Sequence, residues 1–396
     1  MTTPLVAYAD LHEDALIGPL LDLAEIPDDE IVAAEAARAT MALDRPFVLA
    51  VALAVLASEG PFPLAAREGM AVDDPRIALA AAELARLAVL AHGDAVRLLA
   101  RHGLDGAIGE QPLSDAVRHA MPPAALGLAE VLARSSDWAQ QSSTLAGFHA
   151  EQGVGELAVY RVLRWLDGAL VGVDAPDRIS LDDLVGYENE RAPLLQDLAA
   201  FVNGGPANDA LLYGLPGTGK SAAVRACADA FAGQGVRLVQ VERDQLDDVE
   251  NALAALRGEG PPTILFLDDL VIDDGERLDR TLRATLDGGV AQRPPNVVVW
   301  ATSNRLNLMH SSHAERADDV DVAETVGEKV ALAARFGRRI RFERQDKAAY
   351  LAICRKLVGD RIGALPPTFE AAAMRFAVQG HGLSARTARQ FADGYR

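Results

Sequence analysis

The stretch that most restricts what this chain can fold into is Leu211 to Ser221, Leu-Leu-Tyr-Gly-Leu-Pro-Gly-Thr-Gly-Lys-Ser. Gly214, Gly219, Lys220 and Ser221 fall at the spacing G-x-x-x-x-G-K-[ST] of a phosphate-binding loop. Before it, Ala210 to Tyr213 is a short apolar run suited to a buried strand; after it, the Ala-rich segment Ala222 to Phe231 suits a helix. A strand that bends sharply into a helix aims several backbone N–H groups at one point, and the helix dipole adds positive potential there. Gly217 and Gly219 let that backbone approach an anion with no Cβ in the way. The spacing therefore predicts an anion cradle through Gly214, Leu215, Pro216, Gly217, Thr218, Gly219, Lys220, Ser221 and Ala222. Lys220 would reach the β- and γ-phosphates of a nucleotide, and the Ser221 hydroxyl would bind Mg²⁺.

Around and beyond the loop, strand and helix patterns alternate. Arg237–Glu242, Thr263–Leu267 and Asn296–Ala301 read as strands, the last two wholly or largely apolar; Glu188–Val202, Leu246–Leu256 and Glu276–Leu286 read as helices. Such alternation predicts an α/β domain with a parallel sheet covered on both faces, its ligands at the carboxyl ends of the strands. The loop, Asp268-Asp269 and Asn304 all fall at such ends. Asp268, directly after an apolar strand, is placed to hold Mg²⁺; Asp269 could orient or deprotonate an attacking water; Asn304 could hold that water or a phosphate oxygen.

Upstream, residues 1–170 read as almost entirely helical. The clearest helix starts at Asp74-Pro75, with Asp as N-cap, and carries Ile77, Ala80, Ala81, Leu84, Leu87, Ala88 and Ala91 on one face before a stop at Gly93. Asp14–Ala24, Asp29–Ala42, Pro46–Ser58, Asp94–His102, Pro123–Ala133 and Val154–Leu170 are further candidates, and Gly172–Ser180 reads as a linker.

Composition narrows the function classes. The net charge is −19, and residues 1–180 hold 12 Arg against 26 Asp plus Glu, so this region repels a phosphate backbone. The longest apolar run, Phe47 to Ala57, is too short to cross a bilayer, and Met-Thr-Thr-Pro lacks the positive start of a signal peptide, so a cytoplasmic protein is expected, with no membrane partner. Cys227 and Cys354 suit core packing, and His310 and His313 suit a polar loop or helix face. Neither H-E-x-x-H nor G-x-S-x-G occurs, which sets aside zinc proteases and nucleophile-elbow hydrolases.

Taken together, Leu-Val-Gly-Tyr-Glu (184–188), Leu-Leu-Tyr-Gly (211–214), Phe-Leu-Asp-Asp-Leu (266–270), Trp-Ala-Thr-Ser-Asn-Arg (300–305) and Ala-Arg-Phe-Gly (334–337) resemble AAA+ ATPases. They are similar to a bacterial ATP-binding group described only as a domain of unknown function, near the initiator and helicase-loader branch. The resemblance covers about 180–396. It implies an AAA+ P-loop NTPase core over 180–343 and a small helical lid over 344–396; residues 1–175, read from their own pattern and charge, are an all-helical acidic domain before them. It also implies ATP as the nucleotide, and a homo-oligomer of about six copies in which Arg335 reaches a neighbour's site. Arg386 would act from the lid, with Arg389 one turn away as the fallback. This chain has Ala334 where the initiator branch has Ser before the arginine, and Asp269 where most AAA+ proteins have Glu. The implied activity is ATP hydrolysis with Mg²⁺ that drives rearrangement in the oligomer, with slow turnover. The alternatives are an ATP-dependent switch or scaffold with negligible turnover, or a loader-type nucleic-acid remodeller resting on the arginines of 335–344. An unidentified protein client would meet the N-terminal helical domain.

Overall fold

The computed structural model describes residues 4–109, 111–258, 260–270, 293–304 and 334–395. The predicted helix Glu276–Leu286, Arg305, His310 and His313 lie outside them. Residue contacts divide the chain into two compact units. One comprises Met1–Leu163, Leu170–Pro176 and Leu256–Pro261; the other comprises Arg164–Ala169, Asp177–Ala255 and Pro262–Arg396.

The first unit is built of short helices around one apolar core that includes Leu20, Val51, Val55, Leu84, Leu132 and Trp138. Its helix ends follow the sequence signals. Asp29 and Asp74 cap Glu30–Met41 and Pro75–Val89, each accepting N–H bonds from the first turn. Phe47–Leu56 is the helix expected of the long apolar run, and nearly all of it is buried. Glu83, buried among these helices, accepts the N–H groups of Val6, Ala7 and Tyr8, which ties down the start of the chain. His149 is fully buried, with Nδ1 facing the Gly153 carbonyl at 3.1 Å, and burial pushes its pKa down to about 4. Among the described residues, no single helix is long and apolar enough to cross a membrane.

Two expectations fail here. Gly93 does not stop a helix: Leu90–Asp94 forms a π-helical turn that leads into Ala95–Arg101. The helix expected over Val154–Leu170 shrinks to Glu156–Val159, and the chain then makes strands β1 (Val162–Leu166) and β2 (Ala169–Gly172). Between them Asp167 and Gly168 both have positive φ, 48° and 84°, the signature of a two-residue I′ hairpin turn. The region before the linker is thus helical up to Val159 and then a hairpin.

The second unit carries β3 (Ala210–Gly214), β4 (Arg237–Val241), β5 (Thr263–Leu267), β6 (Val297–Ser303) and β7 (Arg338–Phe342). The sheet order is β2-β1-β4-β5-β6-β3-β7, and the neighbouring pairs from β4 to β7 are parallel. The hairpin makes the sheet mixed rather than parallel throughout. Every residue of β5 and β6 is buried, as central strands of a doubly covered sheet require. The edge strand β7 alternates instead, with Arg339 and Arg341 exposed and Ile340 and Phe342 inside. Arg338 anchors its start through paired bonds of 2.9 Å to Asp197. Beyond β7, Lys347–Ile362, Phe369–Phe376 and Ala385–Gly394 form a helical layer with its own core of Tyr350, Cys354, Val358, Phe369 and Phe391. Cys227 and Cys354 are free and buried, and burial raises both thiols, to about 12 and about 11.

Candidate functional site

The phosphate loop is the turn from β3 into the helix Lys220–Ala230. Gly214 has φ +143°, and a Cβ there would lie 2.1 Å from the Phe342 carbonyl oxygen of the adjacent strand. Only glycine satisfies both conditions. Gly217 and Gly219 also have positive φ, 77° and 97°. Thr218 is buried and closes the turn by donating its hydroxyl to the Leu215 carbonyl at 2.9 Å. Pro216 stands exposed at the tip, with Leu215 and Ala222 half-buried on either side.

Lys220 is only 5 % exposed. Its Nζ donates to the carbonyls of Gly214 and Leu215 and to Asn304 Oδ1, each at 2.9 Å. Burial lowers its pKa; the charges of Asp269 and Asp268 raise it, and Arg386 lowers it further. Ser221 Oγ donates to Asp268 Oδ1 at 2.7 Å. Asn304, one residue past β6, donates its Nδ2 to Asp269 Oδ1. The structure thus brings Lys220, Ser221, Asp268, Asp269 and Asn304 into one hydrogen-bonded cluster.

Thr302 joins this cluster although no role was expected for it. Its hydroxyl donates to Asp268 Oδ1 at 2.6 Å and accepts the Asp269 N–H at 2.9 Å. The only signal in the sequence is a pair of polar residues, Thr302-Ser303, closing an otherwise apolar run. Asp269 has φ +58°, in the left-handed region where Asp and Asn are the best tolerated residues after glycine. That backbone gives a physical reason for Asp rather than Glu at this position.

The two arginines lie apart. The backbone N–H of Arg386, in the first turn of Ala385–Gly394, faces the Gly217 carbonyl at 3.4 Å, and Ser384 caps that helix through Thr387 N. Arg386 therefore stands over the loop, whereas Arg389 faces Asp183, whose pKa is lowered first by the Ser180 N–H bond and in smaller part by the charges of Lys356 and Arg389. Arg335 precedes β7 by three residues, and Arg338 pairs in register with Ala210, the first residue of β3. It lies at the end of the sheet opposite the loop, a strand length of roughly 13 Å or more away.

A narrow cavity opens beside the loop, walled by Leu184, Val185, Tyr187, Phe342 and Ile353 and reaching Thr218 and Gly219. The Tyr187 and Phe342 rings pack at 4.8 Å between centroids. Gln345 lines the same cavity.

A glycine-rich turn between strand and helix, acids and an asparagine on the neighbouring strand ends, and a helical layer whose last helix covers the turn define a P-loop ATPase fold of the AAA+ class. The chain belongs to the family described as Protein of unknown function (DUF815), whose model matches residues 157–396. No curated protein matches it. Among solved structures it is similar to the Thermotoga maritima RuvB Holliday junction branch migration motor, at 14% identity over 55% of this chain and 72% of that one, with a TM-score of 0.34. It is also similar to the Aeropyrum pernix Orc1 protein in complex with DNA, at 20% identity over 52% of this chain and 58% of that one, with a TM-score of 0.39.

Proposed function

We propose that the chain binds ATP with Mg²⁺ at the loop from Gly214 to Ala222 and hydrolyses it, driving rearrangement in a homo-oligomer. The observation that carries this reading is the 2.7 Å bond between Ser221 Oγ and Asp268 Oδ1 beside the buried Lys220 ammonium. A hydroxyl and a carboxylate side by side suit a small hard cation that takes few protein ligands. Mg²⁺ bound there would offset the charge of the β- and γ-phosphates. The remaining roles fall to this chain's own groups. Lys220 exchanges its bonds to Asn304 and the loop carbonyls for phosphate oxygens. Asp269 accepts a hydrogen bond from the attacking water, and Asn304, released by Lys220, fixes that water's position. Arg386 adds positive charge from the lid, and Arg335, on the far end of the sheet, serves the loop of a neighbouring copy. The cavity against Tyr187 and Phe342 takes the base.

Lys220→Ala tests the core of this reading: titration of a fluorescent ATP analogue should show affinity reduced at least about a hundredfold. Unchanged affinity would refute it. A second reading, a nucleotide-dependent switch with negligible turnover, is favoured by the Asn304–Asp269 bond, which occupies the carboxylate that would act on water. Single-turnover hydrolysis by the purified full chain separates the two: loss of product formation in Asp269→Ala supports hydrolysis, and ATP held intact by the wild type supports the switch.

A further inference from the structure

We infer that Gln345 selects the base of the nucleotide, accepting a hydrogen bond from the 6-amino group of adenine and excluding 6-oxo purines. The inference rests on the nucleotide reading above and adds to it the residue that distinguishes ATP from GTP.

Gln345 is 6 % exposed, and its Oε1 is buried without a hydrogen-bond partner among the described residues. The orientation of its amide follows from its neighbour. The Tyr187 hydroxyl donates its proton to the Glu343 carbonyl at 2.6 Å, so toward Gln345 the phenol oxygen can only accept. Nε2 therefore faces Tyr187, on the side of Gly186, and Oε1 is the end of the amide left for a further donor, on a side chain that lines the cavity. The other polar side chains lining this cavity are engaged. Asp183 is held in a capping box with Ser180, Arg191 donates to the Leu181 and Tyr187 carbonyls, and Thr218 donates to the Leu215 carbonyl.

A buried acceptor with no donor destabilises the protein, and a ligand donor recovers that cost. The cavity walls are apolar and partly aromatic, suited to the faces of a planar ring, and the cavity touches the phosphate loop at Thr218 and Gly219. A purine placed there meets Oε1 along its edge. The 6-position of adenine is a donor; that of guanine or hypoxanthine is an acceptor, which sets two lone pairs against each other. A site built around such a bond rejects the analogue that cannot make it far more strongly than an apolar pocket rejects a change of shape.

The test compares ATP with inosine triphosphate, which replaces the 6-amino group by oxygen, and with GTP. Each is titrated with Mg²⁺ into the full-length chain by calorimetry. The wild type should bind ATP at least about tenfold more tightly than either. In Gln345→Met, similar in length and without the acceptor, ATP should weaken to within about threefold of inosine triphosphate, with circular dichroism unchanged. Equal wild-type affinities, or a preference that survives in folded Gln345→Met, would overturn the assignment; if that variant fails to fold, the wild-type comparison alone decides. Lys220→Ala keeps the two levels separable. If all three nucleotides bind alike but depend on Lys220, only the role of Gln345 fails; if none depends on Lys220, the nucleotide reading fails with it.

Discussion

Replacing Thr302 by valine keeps the shape of the side chain and removes both of its hydrogen bonds. The hydroxyl donates to Asp268 Oδ1 at 2.6 Å and accepts the Asp269 N–H at 2.9 Å, and Thr302 is 2 % exposed. A hydrogen bond to a charged group contributes about 1.5–3 kcal/mol, and an N–H left without an acceptor costs about 1–3 kcal/mol. Asp268 and Asp269 are half-buried, so water can replace part of what is lost, and we expect a loss of about 3 kcal/mol. The consequence for function is sharper than that for stability. Of the two hydroxyls that hold Asp268 Oδ1, only that of Ser221 would remain, so the aim of the carboxylate would loosen. Urea unfolding followed by tryptophan fluorescence reads the first effect. Titration of a fluorescent ATP analogue with and without Mg²⁺ reads the second: Mg²⁺-dependent affinity should fall about tenfold, and Mg²⁺-free affinity should hardly change. Thr302→Ser, which retains the hydroxyl, should restore most of both. An unfolding midpoint and Mg²⁺ dependence equal to the wild type in Thr302→Val would refute the reasoning.

Other perturbations have equally definite outcomes. Gly214→Ala puts a Cβ against the Phe342 carbonyl in a backbone conformation reserved for glycine, and should cost about 3 kcal/mol or prevent folding, as read by thermal melting. His149 titrates near 4 when folded and near 6.5 when unfolded, so the unfolded chain binds the extra proton between those values. Stability should therefore fall as pH drops from 6.5 toward 4 and lose about 3 kcal/mol in all; an imidazole resonance of His149 already protonated at pH 5.5 would contradict this. Arg335→Ala should lower turnover at least about tenfold while nucleotide affinity is kept. Mixing it with Lys220→Ala should recover activity, because each inactive copy supplies what the other lacks; absence of recovery would count against action across subunits.

How much of this was legible in the sequence depends on whether a residue's reason is local. The glycines of the phosphate loop are required by their own backbone angles, and the five buried residues of β5 declare a central strand, so both read directly. The hairpin of 162–172 did not, because its apolar residues are dense enough to suit a helical period as well. The alternation of buried Leu163 and Trp165 with exposed Arg164, followed by Asp167-Gly168, was the available signal. Gly93 resembled a helix stop because glycine commonly ends helices, yet the π turn carries the chain through it. Thr302 and Gln345 depend on non-local partners. One meets Asp268 across 34 positions, and the other is buried only because the fold sets Tyr187 and the cavity walls around it. In sequence, Arg-Gln-Asp after a basic strand looks like solvated chain.

The in-register pairing of β3 with β7, from Ala210 opposite Arg338 to Gly214 opposite Phe342, has a mechanical corollary. The phosphate grip and the stem of the lid leave the sheet from the same rung of one ladder. A slip of β7 by a single residue would carry Gln345 and everything after it by about 3.3 Å and turn Ile340 and Phe342 outward. Length changes between Arg338 and Gln345 should therefore be far more damaging than substitutions of the outward-facing Arg339 and Arg341.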